Sequence, residues 1–173
     1  MSGTRVAIYW AGFLLLGSYY VTSLEPLPSS TPARRAAFVE VDAKQVEAVL
    51  LQREERNIRC ERVGERWRPT LPAGADLSSD LVASLLANLT ETPDVEMVSE
   101  GGGNLHDFGL DPARTTLTLE RGSLPPIVVR IGVANPAETA TYAQRTGSDR
   151  VFLIGLNVRY YADLLFAAAF AAQ

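Results

Sequence analysis

The side chains best suited to general-base catalysis lie next to each other near the middle of the chain. His106, the only histidine, is followed directly by Asp107 in a glycine-rich stretch. A histidine oriented by a carboxylate is a common general base. Successive side chains of an extended segment point in opposite directions, however, so adjacent residues rarely face each other. We therefore expect no catalytic pair at this position.

Cys60, the only cysteine, lies in the alternating run Ile58-Arg59-Cys60-Glu61. The alternation places Cys60 on the same face as Ile58, and free cysteine behaves as a small apolar residue that is usually buried. One cysteine forms no internal disulfide, and one cysteine with one histidine supplies too few ligands for zinc. The sequence predicts a core residue at Cys60, no metal site and no cofactor.

Other catalytic signatures are missing from the sequence. It has no His-Glu-x-x-His, Gly-x-Ser-x-Gly or Walker motif. Gly101-Gly102-Gly103 lacks the lysine that follows a phosphate-binding loop, so we interpret it as an ordinary loop. The net charge of -4 provides no basic surface for phosphate neutralisation, which argues against a nucleic-acid partner. These features predict a protein that is not an enzyme.

Residues 6–23 form an uncharged apolar run, VAIYWAGFLLLGSYYVTS. As a helix the run would rise about 27 Å, close to the roughly 30 Å hydrocarbon core of a bilayer. Trp10 lies near one end and Tyr20 near the other, as in the aromatic belts of membrane helices. Arg5 precedes the run, and positive charge favours the cytoplasmic side. We expect residues 1–23 to be a single-pass anchor, with the rest of the chain outside the cytoplasm.

Two other interpretations of this run remain open. A cleaved signal peptide would find suitable small residues at Val21-Thr22-Ser23, although the run is longer than the roughly 7–15 apolar residues of a signal sequence. A buried core helix fits less well because the run has no polar face. In a membrane helix, Ala7 and Ala11 lie one turn apart and would allow close approach of another helix. With Trp10, they are our candidate contacts to the bilayer and to an integral membrane partner.

The remaining sequence predicts a Pro/Ser-rich linker at residues 24–36 and one domain at residues 37–173. Apolar runs and alternating patterns predict the strands Ala37–Val41, Val46–Gln52, Ile58–Val63, Val95–Val98, Thr115–Glu120, Ile127–Ile131, Thr141–Gln144 and Val151–Ile154. Leu117 and Leu119 should point inward, and Val151–Ile154, apolar on both faces, should be central. The fold class is α+β, a mostly antiparallel sheet with one or two packed helices, preceded by a single N-terminal transmembrane helix.

Two helices are predicted in this domain. The first begins at Ser78 or Ser79 and ends near Leu89, with an apolar face that should pack on the sheet. That face consists of Leu81, Val82, Leu85, Leu86 and Leu89. The second runs from about Val158 to Phe170, and its apolar end is too short to span a bilayer. This end either closes the core or contacts a partner or the membrane surface, and its candidate contacts are Leu164, Phe166 and Phe170.

A set of short motifs gives the sequence a family resemblance. They are Trp67, Pro72, Ala75-Asp76, Leu86, Leu89, Phe108-Gly109-Leu110, Pro112, Gly132, Tyr142 and Val151. Over roughly residues 46–165 the chain resembles the bacterial family called domain of unknown function 4340, although that family usually has tyrosine where Phe108 stands. The resemblance implies an extracytoplasmic domain on one N-terminal anchor, in some cases encoded beside ABC-transporter components of the gliding-motility type. It implies no catalytic residues. We interpret Trp67 as a core anchor and Gly109 as a turn glycine with an unusual φ.

We therefore expect a non-catalytic accessory or scaffolding subunit of a bacterial membrane protein complex. It would be anchored in the inner membrane, with its domain in the periplasm or otherwise outside the cytoplasm. The alternative is a periplasmic ligand- or lipid-binding module working with an ABC-type transporter, which would require a pocket lined by apolar residues. An unrecognised hydrolase is the third possibility.

Overall fold

The computed structural model describes residues 38–91, 95–100 and 103–171, all within one compact unit, Arg35–Gln173. The predicted anchor (1–23) and linker (24–36) lie outside the described residues, as do Ala7, Trp10 and Ala11. After a 3-10 turn at Ala43–Gln45, the elements are β1 (Ala48–Arg53), β2 (Arg56–Val63), β3 (Arg66–Leu71), α1 (Ser79–Thr90), β4 (Glu96–Ser99), β5 (Thr115–Arg121), β6 (Leu124–Ala134), β7 (Ala140–Arg145), β8 (Val151–Gly155) and α2 (Leu156–Phe170). None of the helices described here combines the length and apolar character needed to cross a bilayer.

The strands form one eight-stranded sheet in the order β3-β2-β1-β5-β6-β7-β8-β4. Every pair of neighbours is antiparallel, so the predicted α+β fold with a mostly antiparallel sheet and two helices is confirmed. The position of β4 is unusual, because it precedes β5 in sequence but lies at the edge beside β8. Between β4 and β5 the chain must therefore pass across β8, β7 and β6.

Both helices pack on one face of the sheet, which we call the inner face. As predicted, Leu117 and Leu119 of β5 point to this face and are fully buried. They meet a helical layer that includes Leu85, Leu89 and Leu165. Leu81 is the one member of the predicted α1 stripe that remains half-buried. The regularly spaced apolar residues of the strands and of α1 thus pack together in one shared core.

Two neighbouring serines fix the start of α1, and one of them ties it to β3. Ser78 caps the helix, with its hydroxyl accepting from the backbone N–H of Asp80 at 3.3 Å. Ser79 Oγ accepts from the backbone N–H of Trp67 at 2.9 Å. Trp67 is only 5 % exposed and belongs to the core, which confirms its interpretation as a core anchor.

Three expectations about the strands were wrong or incomplete. The structure has no strand over the described part of Ala37–Val41; Phe38 and Val39 are buried there by packing alone. Strand β3 was not predicted, because two arginines and Pro69 interrupt its apolar pattern. Strand β8 was predicted to be central, but it lies one position from the edge, with β4 outside it. Its two apolar faces are explained partly by Phe152, which packs edge-on against Phe38 at 5.5 Å between ring centroids.

Candidate functional site

The two helices cover the inner face, so polar side chains of the sheet are accessible mainly on the opposite, outer face. Over β2, β1 and β5 this face carries an ion-pair cluster of Arg59, Glu61 and Glu120. The Arg59 guanidinium donates to both carboxylate oxygens of Glu120, at 2.6 and 2.7 Å, and to Glu61 Oε1 at 3.0 Å. The hydrogen bond from Arg59 lowers the pKa of Glu120, and the two carboxylates raise the pKa of Arg59. Arg59 and Glu120 are therefore held in their charged forms and are poor proton carriers at neutral pH.

On the outer face of β6 and β7 lies the segment that connects β4 to β5. We call its described part, residues 103–114, the crossover loop. The loop is closed by backbone hydrogen bonds from Gly109 N to His106 O at 2.9 Å, from Leu110 N to Leu105 O at 2.9 Å and from Arg114 N to Gly109 O at 3.2 Å. Another, from Val133 N to Phe108 O at 3.0 Å, attaches the loop to β6.

Where the loop meets β6, the two backbones approach each other very closely. A Cβ atom on Gly132 would lie 2.0 Å from the carbonyl oxygen of Phe108, a distance that requires the backbone to move. Gly109 has φ +63°, which confirms its interpretation as a turn glycine with unusual φ, and a Cβ there would lie 2.8 Å from Val133 Cγ1. The Phe108 ring rests against Tyr142 of β7 at 4.7 Å between centroids.

We call Phe108, Gly109, Gly132 and Tyr142 the crossover junction. All four are among the residues that carry the family resemblance, and the structure brings them together although they are far apart in sequence. Their contact is not predictable from the local sequence around each of them. The available signal was Gly132 itself, an isolated glycine in the apolar run of β6, because such a glycine often marks close approach of another backbone.

His106 and Asp107 lie in the crossover loop, and both side chains are exposed to solvent. Cys60, by contrast, is 1 % exposed in the core as predicted, and burial raises the pKa of its thiol to about 11. A thiol with that pKa stays protonated at neutral pH and is a weak nucleophile. Within residues 38–91, 95–100 and 103–171, no three His, Cys, Asp or Glu side chains gather in a way that could hold a metal ion.

The end of α2, which contains three of the predicted contact residues, is fastened to the β1–β2 hairpin by arginines. Arg53 forms an ion pair with Asp163 at 2.6 Å, and its guanidinium carbon lies 4.4 Å from the centroid of the Phe166 ring. Arg56 lies over Phe170 in the same way, at 5.2 Å. Phe166 is only 5 % exposed, so in this structure it closes the core and is not available to a partner.

Leu164 and Phe170 are half-buried and retain accessible surface. Beside Phe170 lies an open cleft of about 750 Å³ at the β1–β2 turn. It is lined by Glu54, Glu55, Arg56, Asn57, Leu71, Pro72 and Phe170. Four of these seven residues are polar or charged, which differs from the apolar pocket that a lipid-binding module would require.

Comparison with known proteins identifies one family. The family model described as Domain of unknown function (DUF4340) matches residues 67–170, from β3 to the end of α2. The match includes the whole crossover junction and agrees with the resemblance seen in the sequence. No curated protein and no solved structure matches the chain.

Proposed function

The chain belongs to the DUF4340 family, and from this premise we propose that it is a non-catalytic accessory or scaffolding subunit of a bacterial membrane protein complex. Residues 6–23 anchor it in the inner membrane, and the α+β domain lies in the periplasm. Its partner is an integral membrane protein, contacted through Ala7, Trp10 and Ala11 of the anchor and through the accessible surface of Leu164 and Phe170.

The observation that carries this proposal is how the domain uses its reactive side chains. Arg53, Arg59 and Glu120 are engaged in holding elements of the fold together. Cys60 is sealed in the core, and His106 projects into solvent from a loop. A catalytic site would instead converge such groups around a cavity that excludes water. This distribution supports a protein that acts through its surfaces and its tether.

The anchor and its orientation are tested by fusing a reporter after Gln173. A reporter that is active only in the periplasm should be active there, and a reporter active only in the cytoplasm should be silent. Activity of the cytoplasmic reporter with silence of the periplasmic one would refute the orientation.

The scaffolding role is tested by purifying the full chain from membranes in mild detergent and identifying co-purifying chains by mass spectrometry. Ala11→Leu should reduce recovery of the membrane partner, because the larger side chain blocks close helix approach. His106→Ala and Asp107→Asn, at exposed positions, are the controls and should leave recovery unchanged. If His106→Ala or Asp107→Asn abolishes complementation of a deletion strain while folding and assembly persist, the non-catalytic role is wrong.

A further inference from the structure

The two edges of the sheet differ in how they resist pairing with another strand. Strand β3, at one edge, carries Arg66, Arg68 and Pro69. Charged residues and proline are the usual means by which natural proteins keep edge strands from accepting a partner, because proline lacks the N–H and charges oppose close packing. The β3 edge is thus protected.

The β4 edge has weaker protection, namely its four-residue length and a register shift against β8 between Met97 and Ser99. Its residues, Glu96–Ser99, include no proline and no basic side chain, and within the described part of the chain β4 pairs with β8 alone. Met97 is 46 % exposed and Val98 is 44 % exposed. Two neighbouring residues of β4 therefore present apolar surface to solvent. The strand therefore offers a row of backbone groups with apolar flanks, as sheets that accept an added strand do.

The charges beside this edge indicate what it would accept. Glu96 is exposed at the start of β4, and Glu100, just past its end, is 62 % exposed with one ion pair to Arg150 at 3.3 Å. Two copies of β4 side by side would bring four carboxylates onto one short ladder, and like charges across a ladder are unfavourable. A strand with basic side chains flanking apolar ones would complement both the acidic and the apolar groups.

We propose that the β4 edge is a docking site for an extended segment of a partner protein in which basic and apolar residues alternate. The segment adds as a ninth strand next to β4, bonded through the backbone, with its basic side chains near the acidic groups and its apolar side chains near Met97. This inference rests on the proposed accessory role in one respect, since it names the kind of surface through which the domain recognises a partner.

The experiment uses the full chain in detergent micelles and three synthetic peptides of about eight residues, the length of an added edge strand. The first peptide alternates lysine and valine, the second replaces each lysine with glutamate, and the third keeps the lysines but has proline in place of a central valine. Fluorescence anisotropy should show binding of the first peptide, at least about tenfold weaker binding of the third because proline cannot donate to the ladder, and no binding of the second.

Matched variants locate the site. The double variant Met97→Lys/Val98→Lys should weaken binding of the lysine–valine peptide at least about tenfold, because basic residues oppose an edge-bound cationic strand. Val63→Lys/Leu71→Lys, which changes two similarly exposed apolar residues near the β3 edge, should leave it unchanged. Thermal unfolding followed by circular dichroism checks that both variants fold, and Glu96→Gln/Glu100→Gln, which adds no bulk, should weaken binding in a salt-dependent manner.

Equal binding of the lysine and proline peptides would show adhesion by charge alone and overturn the inference. So would binding that the Met97/Val98 variant retains, or sedimentation showing that this edge pairs two copies of the chain. These outcomes are independent of the membrane co-purification test. Peptide binding without a co-purifying partner would support the edge site and count against the scaffolding role, and the reverse result would do the opposite.

Discussion

The inner and outer faces of the sheet are covered in opposite ways. On the inner face, two helices meet the strands through large apolar side chains such as Trp67, Leu85 and Leu117. On the outer face, the crossover loop meets β6 through bare backbone, at Gly132, where no side chain fits. The inner contact is stabilised by the burial of side chains, and the outer contact at β6 depends on the absence of a side chain at Gly132.

This difference shows which substitutions each face tolerates. A side chain that becomes smaller on the inner face leaves a cavity, and its cost grows with the volume removed. A side chain that becomes larger on the outer face forces two backbones apart, and its cost depends on how far they can move. Four measurements test this contrast, each by urea denaturation of Arg35–Gln173 unless another method is given.

The largest effect is expected at the inner face from Trp67→Ala. Removing this side chain, which is 5 % exposed between β3 and α1, should lower the free energy of unfolding by about 3–5 kcal/mol. Tyr160→Ala is the control, because this aromatic side chain on α2 is 57 % exposed and its loss should change the free energy by less than about 0.5 kcal/mol. Similar losses of unfolding free energy in the two variants would show that Trp67 is not part of the core.

On the outer face, Gly132→Ala should lower the free energy of unfolding by about 1–3 kcal/mol, because the added methyl group meets Phe108 O. Gly103→Ala tests the same chemical change where a Cβ has ordinary contacts, with Ser99 Oγ at 3.4 Å, and should change stability by less than about 0.5 kcal/mol. If the two alanine variants were equally stable, the crossover loop would not be seated on β6 as described.

Gly109 and Gly147 separate backbone strain from steric clash. Both have positive φ, +63° and +86°, so alanine at either position should cost about 1 kcal/mol in strain. A Cβ at Gly147 has nothing within 4 Å, whereas at Gly109 it meets Val133, so Gly109→Ala should cost more. Combining it with Val133→Ala should recover part of that excess. Additive losses in the double variant would mean that the two residues do not touch.

The smallest effect is expected from the ion-pair cluster. The hydrogen bond from Arg59 lowers the pKa of Glu120 below its ordinary value of 4.5, so the folded state binds this proton less tightly than the unfolded state does. The resulting stability is fully present above pH 4.5 and is lost as the pH falls through the lowered pKa. Because the Glu120 side chain is 38 % exposed, solvent screening limits the contribution to about 0.2–1 kcal/mol.

Glu120→Gln should therefore destabilise the domain at neutral pH, and the gap between parent and variant should narrow as the pH falls below 4.5. Arg59→Gln should remove the same pH-dependent part, and the double variant should lose no more of it than either single one. A gap that widened on acidification would show that the assigned direction of the pKa change is wrong.

The contrast between the faces also explains what the sequence could predict. The residues of the inner face recur at regular intervals in the sequence. The strands around Leu117 and the apolar face of α1 were therefore predictable from alternation and helical spacing. Strand β3 was not predicted because its arginines and Pro69 are typical of a loop. The buried side chain of Trp67 nevertheless holds this strand against the core. Phe38 and Val39 led to the opposite error, the prediction of a strand that is not observed. They are buried by packing alone, without pairing in the sheet.

The crossover junction could not be predicted from local pattern. Gly109 and Gly132 come together because β4 occupies the far edge and the chain must return to β5 over the outer face. That path is a property of the strand order, which no single segment encodes. Likewise, the spacing of Leu164, Phe166 and Phe170 fits both core closure and partner contact, and only the three-dimensional packing shows that Phe166 is buried.

The placement of β4 also has a consequence for the order in which the chain assembles. Strand β4 leaves the ribosome before β5 but pairs with β8, the last strand, so it cannot enter the sheet until nearly the whole domain has been synthesised. Contacts between such distant segments form late because closing the intervening loop carries an entropic cost. We expect β4 to join the nascent domain last and, by the same reasoning, to open first in the native state. Amide hydrogens of residues 96–99 should then exchange well before those of β1 and β5.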